Sequence, residues 1–267
     1  GIRSPMVRHW ISWTMLLAVC QATAQPVVVD TISAMQPWPP YEEFTFPRFL
    51  TPGNPKLAAR IERDLCIDFL EVDPDTAKGS IFQQVWGDPA STAPQRLSSL
   101  SWTSEQPLPE VLSVSFSAEG CGAYCEGFTT HYIYDLRDGH RLLYDSLFTE
   151  TGRVAVDDTL RRNWQAAVEA HIQLIQGSLK LDSLSIEDIE WLHEAMDLYR
   201  QCLLERTDYR PYVVDIEPMG KALRVYIARC SAHADRALDE LDEVKVDLLY
   251  EWLRPYLRPE FVALFVK

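Results

Sequence analysis

Leu112-Ser113-Val114-Ser115-Phe116-Ser117-Ala118 alternates apolar and serine side chains without a break. Successive side chains of a strand point to opposite faces. The segment therefore predicts a strand that buries Leu112, Val114, Phe116 and Ala118 and turns three serines to water. Beyond it, Phe128 to Leu136 is rich in aromatic and β-branched residues and reads as a second strand. Asp138-Gly139 then supplies a tight turn into Arg141 to Tyr144, completing a predicted hairpin.

On either side of this core the period changes. Residues 25–55 are rich in proline, which removes an N–H donor and disfavours helix, so they read as an extended lead-in with a short strand near Glu43 to Leu50. Asn54-Pro55 is an N-cap followed by proline in the first turn, and Leu57, Ala58, Ile61, Leu65 and Phe69 follow at helical spacing until Asp73-Pro74. Residues 73–110 read as polar and irregular, with a short helix around Ile81 to Trp86. Val154 to Leu179 carries Val156, Leu160, Trp164, Val168, Ile172 and Ile175 on one helical face. Ser185 with Asp188 forms a capping box for a further helix through Ile189, Leu192, Met196, Tyr199 and Leu203. Two strands follow around Tyr212 to Glu217 and Ala222 to Arg229, joined at Met219-Gly220. An acidic loop from Asp235 to Glu243 leads to a strand at Val244 to Leu248 and a closing amphipathic stretch through Leu253, Tyr256 and Phe261. There is no internal repeat. The fold expected is α+β, a mainly antiparallel sheet with two or three long helices packed on one face, forming a single domain over 44–267 behind a lead-in at 25–43.

The amino end has the order of a secretory signal: Arg8 and His9, an uncharged run from Trp10 to Val19, then Ala22-Thr23-Ala24 before Gln25. The apolar run is about ten residues, against the roughly 20 that a membrane-spanning helix needs. Residues 1–24 are accordingly expected to be a short scar, Gly1 to Pro5, plus a signal peptide cut near Ala24. A periplasmic or secreted protein is the expected product. The rival is a lipoprotein acylated at Cys20, although Val19 stands where such a box normally has Gly, Ala or Ser. No later segment is apolar enough to span a bilayer.

The 267-residue chain carries a net charge of −14, and losing Arg3 and Arg8 with the signal makes that about −16. Such a surface repels nucleic acid and anionic headgroups and argues against a DNA- or RNA-binding role. Cleavage leaves Cys66, Cys121, Cys125, Cys202 and Cys230, and in an oxidising compartment pairing is the default. Gly120 and Gly122 let the chain turn tightly enough for Cys121 and Cys125 to close a small ring. A metal site using these thiolates and His131 is the alternative, but no second ligand pair stands at zinc spacing. Cys66 lies beside a helical apolar stripe and reads as a buried free thiol, which leaves Cys202 to pair with Cys230.

Catalytic signatures are absent: no Gly-x-Ser-x-Gly elbow, no His-Glu-x-x-His, no phosphate loop and no dinucleotide fingerprint. His131, His140, His171, His193 and His233 are isolated and read as surface or structural residues. Glu187, Glu190, His193 and Glu194 share a helical face that either holds a divalent cation with outside help or is simply solvated. Asp239, Glu240, Asp242 and Glu243 lack the glycine and terminal glutamate of an EF-hand and read as a solvated loop. Phe128, Tyr132 and Tyr134 are core residues or line a sugar-binding cleft. The cysteine ring displays Ala123 and Tyr124, candidate contact residues on a rigid loop.

Several of these residues carry a family likeness. Tyr134-Asp135-Leu136-Arg137-Asp138-Gly139, then Asp145 with Leu147-Phe148, then Leu253, Leu257 and Pro259 resemble a bacterial exported domain family of unassigned function. Its strand ends in a "Tyr-Asp-Leu-x-x-Gly" turn and runs into an "Asp-Leu-Phe" segment; here Ser146 intervenes. The likeness covers most of residues 44–260. The same domain is similar to the extracellular part of the RsiV-like, lysozyme-sensing anti-sigma factors and to a region preceding the catalytic domain of some polysaccharide deacetylases. What the resemblance implies is an α+β domain that binds something at the cell envelope, with no catalytic residues, metal or cofactor carried over. The expected function is a non-catalytic exported domain engaging a protein or cell-wall glycan. The alternatives are an envelope hydrolase built on Glu187, Glu190 and His193, or an inhibitor of a basic secreted enzyme such as lysozyme.

Overall fold

The computed structural model describes residues 27–51, 53–90, 94–121, 125–206 and 210–266. In chain order these form β1 (Val28–Met35), β2 (Glu43–Leu50), α1 (Pro55–Asp68), α2 (Gln83–Trp86), β3 (Leu97–Leu108), β4 (Val111–Cys121), β5 (Cys125–Asp135), α3 (Tyr144–Leu147), α4 (Glu150–Ser178), α5 (Ile186–Arg206), β6 (Val213–Pro218), β7 (Ala222–Ile227), β8 (Val244–Leu249), α6 (Tyr250–Leu253) and α7 (Pro259–Phe265). The chain is α+β, and its strands pair antiparallel in three sheets, β1-β2, β3-β4-β5 and β6-β7-β8.

The alternating face of β4 does what its pattern predicts. Leu112, Val114, Phe116 and Ala118 are buried in one core with Phe44 and Phe46 of β2, the apolar stripe of α1, and Tyr132 and Tyr134 of β5. Phe69 stacks on Phe116 with ring centroids 4.3 Å apart. Asn54 caps α1 through its side chain, accepting from the Leu57 N–H at 3.1 Å, a contact typically worth about 1 kcal/mol. Cys66 of α1 is a buried free thiol, and burial with Glu62 nearby pushes its pKa up to about 12.

The serine face departs from expectation. Ser113 is buried, and Val111 and Ile133 on that same face belong to a second core. This second core is built on α4, whose Val156, Leu160, Trp164, Val168, Ile172 and Ile175 are all buried, together with α5 and the apolar face of β6-β7-β8. The β3-β4-β5 sheet thus contributes to both cores, one from each face. Serines on its second face are small enough to let another sheet approach, and that is why they are not all wet.

The extended lead-in carries β1, which pairs with the expected strand β2 from Val28↔Leu50 to Met35↔Glu43. Two further readings are corrected. Residues 97–108 are not irregular: they form β3, whose exposed positions are serine, threonine, glutamate and glutamine, so the apolar alternation that marks a half-buried strand is weak. The expected strand over Arg141 to Tyr144 shrinks to one bridge, Tyr134↔Arg141, because α3 begins at Tyr144. Among the described residues no helix is long and apolar enough to cross a membrane.

Candidate functional site

The two sheets meet at β5 and β6, and the side chains there come from simple alternation. On β6, Ile216 turns into the core, so Asp215 and Glu217 share the opposite face. Their register partners Tyr226 and Arg224 on β7, and then Lys245 and Asp247 on β8, continue that polar face across the sheet. The polar face is directed at β5, where His131 stands opposite Ser115 of β4.

His131 is fixed at this seam. Its main-chain N–H and its Nδ1 both lie 2.8 Å from Asp215 Oδ2, and Asp215 Oδ1 accepts from the Ile216 N–H at 2.8 Å. The other ring nitrogen, Nε2, faces Glu217 Oε1 at 3.7 Å. The ring stacks on Tyr226 with centroids 5.3 Å apart, and the Tyr226 hydroxyl donates to Glu217 Oε2 at 2.6 Å. Burial and that hydrogen bond raise the Tyr226 pKa. Arg224 holds Asp247 through paired contacts of 2.8 and 3.0 Å and keeps its carboxyl below the usual range. Lys245 Nζ lies 5.4 Å from the Tyr226 ring centroid, within cation–π range.

Beside this cluster opens a cleft of about 570 Å³, lined among others by Phe128, His131, Tyr226, Arg229 and Lys245. Arg229 and Arg236 both pair with Glu126 at its wall, tying β5 to the segment after β7. Burial lifts the Glu243 carboxyl above its ordinary range, and Asp242 and Asp215 push the same way. A general base needs a free ring nitrogen within reach of the proton it abstracts. Here Nδ1 is engaged by Asp215, and Nε2 looks at a carboxylate rather than a hydroxyl or thiol. The arrangement joins two sheets and lines the cleft with aromatic and cationic groups.

The residues singled out from sequence distribute as follows. Cys121 is bonded to Cys125 across the β4–β5 hairpin, and Cys202 of α5 to Cys230. Ala123 and Tyr124 lie outside the described residues. Tyr132 and Tyr134 are core residues whose hydroxyls donate to Asp68 and Asp64 of α1, each at 2.7 Å, whereas Phe128 is 42% exposed. Glu187, Glu190, His193 and Glu194 are exposed on α5. Among the described residues one group brings three ligand-type atoms within 4.8 Å of one another, Glu119 with Cys121 and Cys125, and its two sulfurs are bonded to each other. Asp239 corrects the reading of its loop as solvated. It is buried and accepts from the Tyr199 hydroxyl and the Ser231 N–H at 2.8 Å each, and from the Asp242 N–H at 3.1 Å. Asp215, Glu217 and Tyr226 were not singled out. Strand alternation marks their common face, but the partner that makes them a site, His131, is 84 residues from Asp215 in sequence.

Fold and cleft together define an α+β protein of antiparallel sheets. No family profile and no curated protein matches the chain. Among solved structures it is similar to two DUF3298 family proteins, members of a domain family of unassigned function. One, from Pseudomonas aeruginosa, has a TM-score of 0.52 at 13% identity, over 89% of this chain and 97% of that one. The other, from Bacteroides fragilis, has a TM-score of 0.53 at 12% identity, over 92% of this chain and 99% of that one. At such identity the likeness is one of fold.

Proposed function

We propose that this chain is an exported, non-catalytic binding domain of the cell envelope that engages a protein or a cell-wall glycan at the cleft between its sheets. The observation that carries the reading is the seam itself. Its histidine is tied to Asp215 and faces Glu217, while exposed Phe128 and Lys245 are left to make contacts. An exposed aromatic beside charges of both signs suits a sugar ring or a peptide. The two disulfides are compatible with an extracellular or periplasmic setting, and the sequence resemblance to the extracellular domain of RsiV-like sensors supports the same setting. A chain of net charge −14 further favours a basic partner through electrostatic steering.

The test is capture from envelope extract on immobilised protein, wild type beside a Phe128→Ser, Lys245→Glu double variant. A partner retained by the wild type and lost by the variant is the expected result. Retention by both would move the binding surface elsewhere. Turnover of peptidoglycan fragments that a point substitution abolishes without unfolding the protein would replace the reading with an enzymatic one.

A further inference from the structure

A second cavity, of about 560 Å³, lies where α4, the end of α5 and the ends of β6 and β7 converge. Its lining is unusual for so acidic a chain, since Arg161, Arg206, Arg210 and Arg229 all reach it. Three of the four are matched by carboxylates: Arg161 by Asp158, Arg210 by Asp145 and Asp157, and Arg229 by Glu126. Arg206 is different. Its Nη1 donates to the Ala228 carbonyl at 3.0 Å, and among the described residues no carboxylate lies within 4.0 Å of it. Two further polar groups on the lining are short of partners. Trp164 is 3% exposed and Ser231 8% exposed, and among the described residues the indole Nε1 of the one has no acceptor and the hydroxyl of the other has no partner. A buried donor without an acceptor costs free energy that a bound acceptor returns.

We propose that this cavity binds a small organic carboxylate with an apolar body. The head group is assigned by charge. Among the described residues Arg206 has no carboxylate partner, and with Glu243 in the same wall a dianion such as phosphate is opposed more strongly than a single carboxylate. The body is assigned by the entrance, where Tyr212 is 70% exposed and Val214 45% exposed, above Ile227 on the wall. A free acid and the C-terminal carboxylate of a peptide share this chemistry. Arg229 and Glu243 also line the cleft, but Arg206, Trp164 and Ser231 do not, and the proposal does not depend on the proposed envelope role.

The experiment is calorimetric titration of the whole chain with N-acetylphenylalanine, its neutral amide, an Ala-Ala-Phe peptide acid, and inorganic phosphate. The acid should bind saturably, and the amide and phosphate at least about tenfold more weakly, because a charge-assisted hydrogen bond is lost or a second charge is opposed. A peptide acid tighter than the single residue assigns the source as a peptide terminus, and a weaker one as a free acid. Arg206→Met should weaken acid binding about tenfold or more. If Arg206→Met does not fold, Tyr212→Ser, at an exposed position, carries the test with an expected loss of about fivefold. Equal binding of acid and amide, phosphate as tight as the acid, no saturation, or undiminished affinity in the variants would each overturn the proposal.

Discussion

Gly152 sits in the first turn of α4, where the helix start docks on the chain at Tyr256. Thr149 donates its N–H to the Tyr256 carbonyl at 3.0 Å, and its hydroxyl accepts from the Gly152 N–H at 3.0 Å. A Cβ on Gly152 would collide with the Tyr256 carbonyl oxygen and come within 2.7 Å of its Cα, both main-chain atoms that cannot swing aside. Helix propensity favours alanine over glycine by about 1 kcal/mol, but overpacking against backbone costs about 1–3 kcal/mol, so Gly152→Ala should lower stability. Gly177 on the same helix is the control, since a Cβ there meets nothing within 4 Å; Gly177→Ala should raise stability by up to about 1 kcal/mol. Denaturant midpoints of opposite sign confirm the argument, and a stabilised Gly152→Ala refutes it. The difference between these glycines is invisible in sequence. The buried row of α4 from Val156 to Ile175 was legible because it depends only on helical period. Asp239 was not, because its donors Tyr199 and Ser231 come from elsewhere in the chain.

At the scale of elements, a segment was legible where its own pattern set its conformation. β4 and the capped starts of α1 and α5 announced themselves, whereas β3 is a strand mainly because β4 offers it a partner. Cross-links act on elements too. Cys202–Cys230 closes a 28-residue separation and ties α5 to the β7 side of the second core, while Cys121–Cys125 closes a separation of only 4 within one hairpin. Loop-closure entropy makes the first worth about 3–4 kcal/mol and the second about 2 kcal/mol. Replacing each pair by serines should therefore lower the urea midpoint more for Cys202/Cys230, and the reverse order would count against it. The β7–β8 pair is pH-dependent. Arg224 holds Asp247 below its ordinary pKa, so its contribution is present above the unfolded value near pH 4 and lost as pH falls through the folded value. Asp247 is half exposed, which limits the effect to less than about 1 kcal/mol. Asp247→Asn should be less stable than wild type at pH 7 and indistinguishable well below pH 4. A gap that persists in acid would assign the loss to packing instead.

Across the whole molecule, two cores share one sheet, and how firmly they act together depends on what crosses the seam. The apolar link is Leu108, Val111 and Ile133, which leave the first sheet for the second core. Of the polar links, Glu126 of β5 pairs with Arg229 and Arg236, and Asp215 offers a single carboxylate oxygen to both the main-chain N–H and the ring Nδ1 of His131 at a side-chain exposure of 14%. Nothing local predicts this link, because each strand's alternation says which side chains share a face but not which sheet that face will meet. Asp215→Ala leaves the His131 donors without their partner, at a cost of about 1–3 kcal/mol. The cost falls on the seam and not on either core. Wild type should therefore unfold in one transition, with amides of α1 and of α4 losing hydrogen-exchange protection at the same urea concentration. In Asp215→Ala the two helices should lose it at different concentrations, with a smaller apparent m-value for each step because each exposes only one core's surface. An unchanged, coincident loss at a lower midpoint would mean that the remaining apolar and Glu126 links suffice to couple the cores, and that the histidine clasp contributes stability without cooperativity.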